Sequence, residues 1–445
     1  MPKTVFIGAG SQFGATSFVD IMSFEELRQG EVVLVDNNPN HLRPVAAYCR
    51  KVVKHYGAKK MKITTASGWR RGSLDGADYV IASFAQGGQA YRGEPYRGDI
   101  CIPLKYGIQQ TVADTVGIGG VLRMMRTAPE LLAIAQDMQR RCPGGMLINY
   151  VNPMSMLTRS LILACPQIRS YGLCHNIQGG IREIAHYVGC KHRDLRFEAA
   201  GVNHLDWFLR VEYRDGRGDV YPDLRRAGEN PANYRRCGSK FELLKQLGYW
   251  SAEGPTHVAE YVPYFLPRDV DRESIGVPRT KPPLEAAPIG ERWTKDSNLV
   301  QETDGRKPLN LERSNEYGVR IIHGIQTDSI YCMHLNVMNG GLIENLPADA
   351  CVEVCCTVDR AGVHPHKVGK MPRQLAALCR ALADMQTLAS EAFLERDLEK
   401  ACLACMLDPA AAAQASPATI RKCFNELLEA QRHFLEPYWG KTLRV

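Results

Sequence analysis

Two residues that could do chemistry lie side by side in the stretch YGLCHNIQGG, residues 171–180, where an apolar run ends. Cys174 offers a thiolate that can bind a metal, and His175 an imidazole that can donate or accept a proton. A second histidine, His204, stands in GVNHLDW at 201–207. One cysteine and one histidine with open coordination positions suit a divalent metal that also binds substrate oxygens. The spacing by itself favours a plainer interpretation, a buried thiol and a strand-end histidine.

A second group of residues is typical of a dinucleotide site. GAGS at 8–11 ends an apolar run, and Asp36 ends the next one. Glycines let the backbone turn tightly toward a pyrophosphate, and a strand-terminal carboxylate can accept both ribose hydroxyls of NAD. Asn152, in NYVNP, follows a later strand pattern and is placed to contact both nicotinamide and substrate. The predicted cofactor contacts are Gly8, Gly10, Ser11, Asp36, Asn37 and Asn152.

The elements that must position these residues alternate between strand and helix in the first half of the chain. Strands are predicted at 4–10, 31–37, 62–67, 78–84, 145–153 and 169–175, with helices at 39–56, 119–141 and 177–189. This alternation favours a parallel sheet that binds ligands at the carboxyl ends of its strands. From about residue 195 the pattern indicates antiparallel strands and an Asp-Gly-Arg-Gly turn. Closing helices are predicted at 368–395 and 417–434.

The predicted fold class is therefore α/β. Residues 1–195 should form a Rossmann-like, doubly wound NAD-binding domain. Residues 196–445 should form an α+β domain for substrate, metal and oligomerisation, as in the lactate/malate dehydrogenase superfamily. Within it, the polar, proline-bearing segment 266–312 is expected to be a loop or lid without regular secondary structure.

Composition excludes several classes of protein. The chain of 445 residues is 45% hydrophobic and 23% charged, without an apolar run long enough to span a membrane or a signal-peptide pattern at its start. Its net charge of +7 is spread over short pairs, which argues against a nucleic-acid partner. The 15 cysteines are interpreted as reduced thiols of a cytoplasmic protein. The sets at 402–405 and 351–356 are interpreted as small core hydrophobes.

Several ordered blocks of sequence resemble the NAD- and manganese-dependent glycosidases of glycoside hydrolase family 4, in particular their α-galactosidase branch. The resemblance covers almost the whole chain. It rests on GAGS, Asp36, QTVADTVGIGGVLRMMRT (110–127), NYVNPMS (149–155), GLCHNIQG (172–179), GVNHLDW (201–207), THVAEYVPYF (256–265) and NGGLIENLP (339–347).

The resemblance implies a redox-assisted hydrolysis, unlike the reaction of two-carboxylate glycosidases. NAD⁺ would oxidise the C3 hydroxyl of the sugar, which makes the C2 proton acidic. A base would remove that proton while Mn²⁺ or another divalent metal stabilises the enediolate. The aglycone would leave from C1, water would add, and NADH would return its hydride.

The resemblance also implies roles for individual residues. Cys174 and His204 would bind the metal, and His175 would protonate the leaving oxygen, where a related branch has an aspartate. Glu260 is the first choice for the base and Tyr261 the second. The expected substrate contacts are Asn152, Asn176, His257, Arg123 and Asp114.

The substrate remains open among several classes. An α-galactoside is expected, with an α-glucuronide, an α-galacturonide or relaxed specificity as alternatives, because Asn176 departs from the branch pattern beside the proposed acid. An ordinary NAD-dependent dehydrogenase and a nucleotide-sensing binding protein are further alternatives. The expected partner is a small glycoside, neither nucleic acid nor membrane, and the expected assembly is a homodimer or homotetramer.

Overall fold

The computed structural model describes residues 1–70, 72–86, 94–267, 269–277 and 293–445. Within these residues thirteen strands belong to one sheet, and helices cover it. The strands are β1 Lys3–Ile7, β2 Gly30–Val35, β3 Met61–Ala66, β4 Tyr79–Ala82, β5 Met146–Asn149, β6 Arg169–Gly172, β7 Leu195–Val202, β8 Leu205–Tyr213, β9 Gly218–Asp219, β10 Trp250–Ser251, β11 Tyr331–Met338, β12 Cys351–Asp359 and β13 Gly362–Pro365.

The helices flank this sheet and close the chain. They are α1 Gln12–Ser23, α2 Pro39–His55, α3 Glu94–Lys105, α4 Gly117–Arg141, α5 Met154–Ala164, α6 Asn176–Tyr187, α7 Tyr221–Gly228, α8 Pro231–Leu247, α9 Pro255–Tyr261, α10 Asn298–Asp304, α11 Gly318–Thr327, α12 Arg373–Glu395, α13 Leu398–Leu407, α14 Pro409–Ala412, α15 Pro417–Ala430 and α16 Arg432–Trp439. Short 3₁₀ turns lie at Glu25–Leu27 and His192–Asp194.

The first six strands are parallel and follow the order β3-β2-β1-β4-β5-β6. Runs such as VVLV in β2 and MLI in β5 are buried, as a sheet covered on both faces requires. The order reverses between β1 and β4, so a crevice opens there at the carboxyl ends of the strands. The predicted α/β fold class is confirmed, with all six predicted strands present.

The sheet continues beyond β6 without a break. β11 pairs antiparallel with β6 at Asn336 and Gly172, and β12, β7, β8 and β10 follow in that order. The Asp-Gly-Arg-Gly turn at 215–218 joins β8 to β9, as predicted. A tight turn at 203–204 joins β7 to β8. The division of the chain at residue 195 stays a prediction, because one sheet spans both parts.

The segment 266–312, expected to lack regular structure, contains helix α10. The expectation was wrong at 298–304, where the helix docks on α2: Lys51 donates from Nζ to the carbonyl oxygens of Glu302 and Thr303. These contacts satisfy carbonyls that a helix end leaves unpaired. Residues 268 and 278–292 of the expected lid lie outside the described residues.

No helix in the described ranges combines the length and apolarity needed to cross a bilayer. The cysteines at 402 and 405 are buried on α13, and those at 351 and 356 are buried on β12. All 15 cysteines of the chain are free thiols.

Candidate active site

A cavity of about 660 Å³ lies at the carboxyl ends of β1, β2 and β4, where the strand order reverses. Its lining contains every residue that the sequence predicts to contact a cofactor, together with Arg123. The predicted residues are Gly8, Gly10, Ser11, Asp36, Asn37 and Asn152. The structure thus brings the two predicted glycines, the strand-end acid and the NYVNP loop around one space.

The glycine turn between β1 and α1 requires its glycines. Gly8 has φ +86°, and a Cβ there would lie 2.0 Å from the carbonyl oxygen of Ser83. A Cβ on Gly10 would lie 2.7 Å from Oδ2 of Asp36, which accepts a hydrogen bond of 2.8 Å from the Gly10 amide. The turn therefore leaves space only for bare backbone, as a dinucleotide cradle needs.

Cys174 and His204 come together although they are 30 residues apart. Cys174 follows β6, and His204 occupies the β7–β8 turn with φ +67°. The Cys174 Sγ lies 3.1 Å from the His204 Nε2. Glu253, after β10, adds an Oε2 atom 3.7 Å from the same nitrogen. These three residues offer ligand atoms within 4.8 Å of one another.

The donor set fits a divalent metal, since it combines a thiol, an imidazole and a carboxylate in a buried position. Burial raises the pKa of the Cys174 thiol well above its ordinary value and lowers the pKa of His204. Burial therefore favours the neutral forms of both groups. A bound divalent ion would reverse that preference at the thiol, because coordination deprotonates it.

Tyr261, the last residue of α9, contacts the other side of the His204 ring. Its hydroxyl lies 2.9 Å from the His204 Nδ1, and the side chain is buried. Burial raises the pKa of Tyr261 well above its ordinary value, while a hydrogen bond with Thr115 opposes that rise. The phenol is thus held against a residue of the predicted metal pair.

Glu260, adjacent in sequence, points elsewhere. Its Oε1 accepts hydrogen bonds from the amides of Val112, at 2.6 Å, and Ala113, at 3.0 Å. Ala113 has φ +57°, so the carboxylate holds a strained loop. Burial raises the pKa of Glu260 to about 8. These contacts describe a loop anchor, and the expectation that Glu260 is the base gains no support from them.

Asp114 joins the cavity to the Cys174–His204 cluster. Its Oδ2 accepts a hydrogen bond of 3.1 Å from Asn152, and its Oδ1 lies 3.9 Å from Nε2 of His257. Burial acts to raise the pKa of Asp114, but the electrostatic influence of His204, Arg123 and His257 outweighs it and leaves the pKa below its ordinary value. Arg123 donates from Nε to the carbonyl oxygen of Asn152 at 3.4 Å. Four of the five expected substrate contacts therefore lie together.

His175 stands at the start of α6 with 70% of its side chain exposed. Its Nδ1 lies 3.5 Å from Oε1 of Glu316, whose Oε2 is buried without a hydrogen-bond partner in the described part of the chain. The imidazole is accessible to solvent and lies near a carboxylate, and its role as the acid stays a prediction.

Asn176, the fifth expected substrate contact, is directed into the protein. Its Nδ2 donates to Asp206 at 2.6 Å, and its Oδ1 accepts from the Ile177 amide at 2.7 Å. The residue is 3% exposed. Its expected role in sugar recognition stays a prediction that these contacts do not support.

Sequence reasoning missed two acids, Glu253 and Glu316. Neither lies in a motif that carries chemistry by itself. Glu253 stands four residues before His257, and this spacing was the signal available in the sequence. In the structure the carboxylate lies 3.6 Å from the ring Nδ1. No comparable local signal marks Glu316, which lies 141 residues after His175.

Two family models match this chain. Residues 3–190 match the model of family 4 glycosyl hydrolases, and residues 199–411 match the model of the C-terminal domain of that family. The fold of a 6-phospho-α-glucosidase from gut microorganisms, solved in complex with NAD and Mn²⁺, is similar at a TM-score of 0.79 and 17% identity, covering 97% of this chain and 98% of that one. A lactate dehydrogenase from a deep-sea metagenome gives a TM-score of 0.51 at 12% identity, over 88% and 99% of the two chains.

Curated relatives are similar over nearly their full length. An α-galactosidase of Bacillus subtilis is 36% identical over 98% of this chain and 100% of its own. An α-galactosidase of Rhizobium meliloti is 32% identical over 98% and 89%. An α-galacturonidase of Thermoanaerobacterium saccharolyticum is 28% identical over 97% and 96%. With both family models matched and this similarity to its relatives, the chain belongs to glycosyl hydrolase family 4.

Proposed function

We propose that this chain hydrolyses α-galactosides and uses NAD⁺ and Mn²⁺, or another divalent metal, as cofactors. The observation that carries the proposal is the convergence of Cys174 and His204, 3.1 Å apart, beside a cavity with a glycine turn and a strand-end acid. Asn152 lines that cavity and reaches the cluster through Asp114. The two α-galactosidase relatives support the substrate class, and the related structure with NAD and Mn²⁺ supports the cofactors.

When bound, NAD⁺ and the metal would supply a hydride acceptor and a Lewis acid for neighbouring hydroxyls of the sugar. Tyr261 is the proposed base for the C2 proton, because its hydroxyl adjoins His204. If the His204 proton is on Nδ1, the ring donates it to the phenol oxygen, and this hydrogen bond would oppose the rise in the Tyr261 pKa that burial causes. Glu260 is the second candidate for the base. It ranks below Tyr261 because its Oε1 already accepts hydrogen bonds from two backbone amides.

His175 is the proposed acid for the leaving oxygen, with Glu316 holding its Nδ1 side. Loss of the aglycone and addition of water at the same carbon then give hydrolysis without net oxidation. The proposed sugar contacts are Asn152, Asp114, Arg123, His257 and Asn176. The proposed NAD contacts are Gly8, Gly10, Ser11, Asp36, Asn37 and Asn152.

α-Galacturonides form the second candidate substrate class. An α-galacturonidase is among the relatives, at 28% identity. Arg123 places a guanidinium in the cavity lining, and a cation there suits a sugar with a carboxylate at C6.

The test is release of nitrophenol from para-nitrophenyl α-galactoside in the presence of NAD⁺, Mn²⁺ and a thiol reductant. Parallel samples omit NAD⁺ or contain EDTA, and a panel adds the α-glucoside, α-glucuronide and α-galacturonide. We expect release from the α-galactoside only when both cofactors are present, with no accumulation of NADH. Release that persists without both would contradict the proposal, and net NADH formation would indicate a dehydrogenase.

We also propose that the protein is cytoplasmic, and that its domain boundary lies at residue 195. The 15 free thiols suit a reducing compartment.

The proposed assembly is a homodimer or homotetramer. Leu403 and Leu407 lie four residues apart on α13 and are 40% and 50% exposed. Light scattering after size-exclusion chromatography measures the mass, and a monomer would contradict the assembly.

A further inference from the structure

We propose that Glu253 is a third protein ligand of the metal, alongside Cys174 and His204. The inference rests on the proposed function, which assigns the metal only to the cysteine and the histidine. Its basis is geometric: the thiol sulfur, the imidazole nitrogen and a carboxylate oxygen lie within 4.8 Å of one another. The three side chains could therefore hold one ion together.

The two oxygens of Glu253 have different surroundings. Oε1 accepts a hydrogen bond of 2.8 Å from the Gly254 amide and lies 3.6 Å from Nδ1 of His257. Oε2 lies 3.7 Å from Nε2 of His204 and accepts no hydrogen bond from the residues that the structure describes. The amide therefore fixes the carboxylate while its second oxygen stays available to an ion.

The carboxylate of Glu253 is mostly buried, and a bound cation would stabilise it further. Its side chain is 17% exposed, and a carboxylate in such a position is costly unless it is paired. A divalent ion held by a thiolate and a carboxylate would be neutral overall. Three protein ligands are also the usual number in catalytic sites that keep positions open for substrate.

Asp114 is the rival carboxylate, because it forms a second cluster with His204 and His257. Both of its oxygens are engaged: Oδ1 accepts from Thr115 at 2.9 Å and Oδ2 from Asn152 at 3.1 Å. The Nδ1 of His204 is occupied by Tyr261, which leaves Nε2 for the metal on the side of Cys174 and Glu253. The geometry therefore favours Glu253.

The experiment is calorimetric titration of MnCl₂ into chelator-stripped protein. We expect Glu253→Gln to weaken Mn²⁺ binding by at least about tenfold. Removing a residue that only orients a metal ligand already lowers metal affinity by about that much, and removing a ligand should lower it at least as far. Glu198→Gln, which makes the same change at an exposed acid on β7, should bind Mn²⁺ as the wild type does. His257→Gln should also leave the affinity unchanged.

Two results would overturn the inference. One is wild-type affinity in Glu253→Gln while Cys174→Ser loses Mn²⁺. The other is an equal loss in His257→Gln, which would mean that Glu253 acts through that histidine. If the wild type binds no Mn²⁺, or Cys174→Ser binds it normally, the proposed function itself fails.

A measurement on the wild-type protein avoids dependence on the folding of any variant. Glutamate labelled with ¹³C at the side-chain carboxyl is incorporated, and the Mn²⁺ complex is examined by electron–nuclear double resonance. We expect a ¹³C coupling of the size given by a directly bound carboxylate. Its absence would contradict the assignment.

Discussion

At the scale of single residues, the side-chain directions of two neighbours on α9 separate their roles. Tyr261→Phe removes a hydroxyl 2.9 Å from His204 and is expected to lower turnover by roughly 10²- to 10⁴-fold, the usual contribution of a base. Glu260→Gln keeps an oxygen that can accept hydrogen bonds from both loop amides. Its turnover should therefore fall by less than about tenfold. Turnover with para-nitrophenyl α-galactoside measures both. A larger loss in Glu260→Gln would restore Glu260 as the base.

The contact between Glu316 and His175, 3.5 Å apart, predicts an effect that depends on the leaving group. Glu316→Gln weakens the hold on the imidazole, so kcat for an alkyl α-galactoside should fall by at least about tenfold. A nitrophenyl leaving group needs little protonation, and its kcat should change little. Glu312→Gln, an exposed acid in the same segment, is the control. An equal fall with both substrates would indicate a structural defect.

At the scale of elements, the turn from β1 to α1 makes a prediction about the cofactor alone. Gly10→Ala puts a Cβ 2.7 Å from the Asp36 carboxylate, so NAD⁺ affinity should fall by at least about tenfold as the cradle shifts. Gly144→Ala, on the turn between α4 and β5, meets nothing within 4 Å and should leave affinity unchanged. Calorimetry with NAD⁺ measures both, and wild-type affinity in Gly10→Ala would contradict the assigned pocket.

At the scale of the whole molecule, His334 on β11 couples stability to pH. Burial lowers its pKa to about 4, and its Nε2 lies 3.1 Å from the carbonyl oxygen of Ala199. A histidine in the unfolded chain has a pKa near 6.5. Between pH 6.5 and 4 this residue is therefore protonated in the unfolded state and neutral in the folded state. The free energy of unfolding should therefore fall as pH drops from about 6.5 toward 4. From pH 7.5 to 5.0 this group contributes a loss of about 2 kcal/mol.

His334→Gln keeps a donor for the same carbonyl but cannot be protonated. The free energy of unfolding of each protein is measured with urea at pH 7.5 and 5.0, without NAD⁺ or metal. The decrease from pH 7.5 to 5.0 should be smaller in His334→Gln than in the wild type by about 2 kcal/mol. Equal pH dependence in the two proteins would contradict the assignment.

The sequence by itself determined the parallel half of the sheet and the glycine turn with Asp36, and its resemblance to family 4 implied a metal site at Cys174 and His204. Strand and helix periodicities, turn glycines and strand-end acids are local patterns, and a parallel sheet gathers its carboxyl ends on one side whatever the details of packing. These local signals were enough to indicate the dinucleotide cavity, whereas the chemistry expected there was implied by the resemblance to family 4.

The tertiary structure decided what depends on distant contacts and side-chain direction. The join of β6 to β11, the approach of Glu316 to His175 and the place of Glu253 beside Cys174 link residues 79 to 164 positions apart. Periodicity does not encode such pairings, because they follow from how whole elements pack. It also does not encode rotamers, so Glu260 turned to backbone amides while Tyr261 turned to the site.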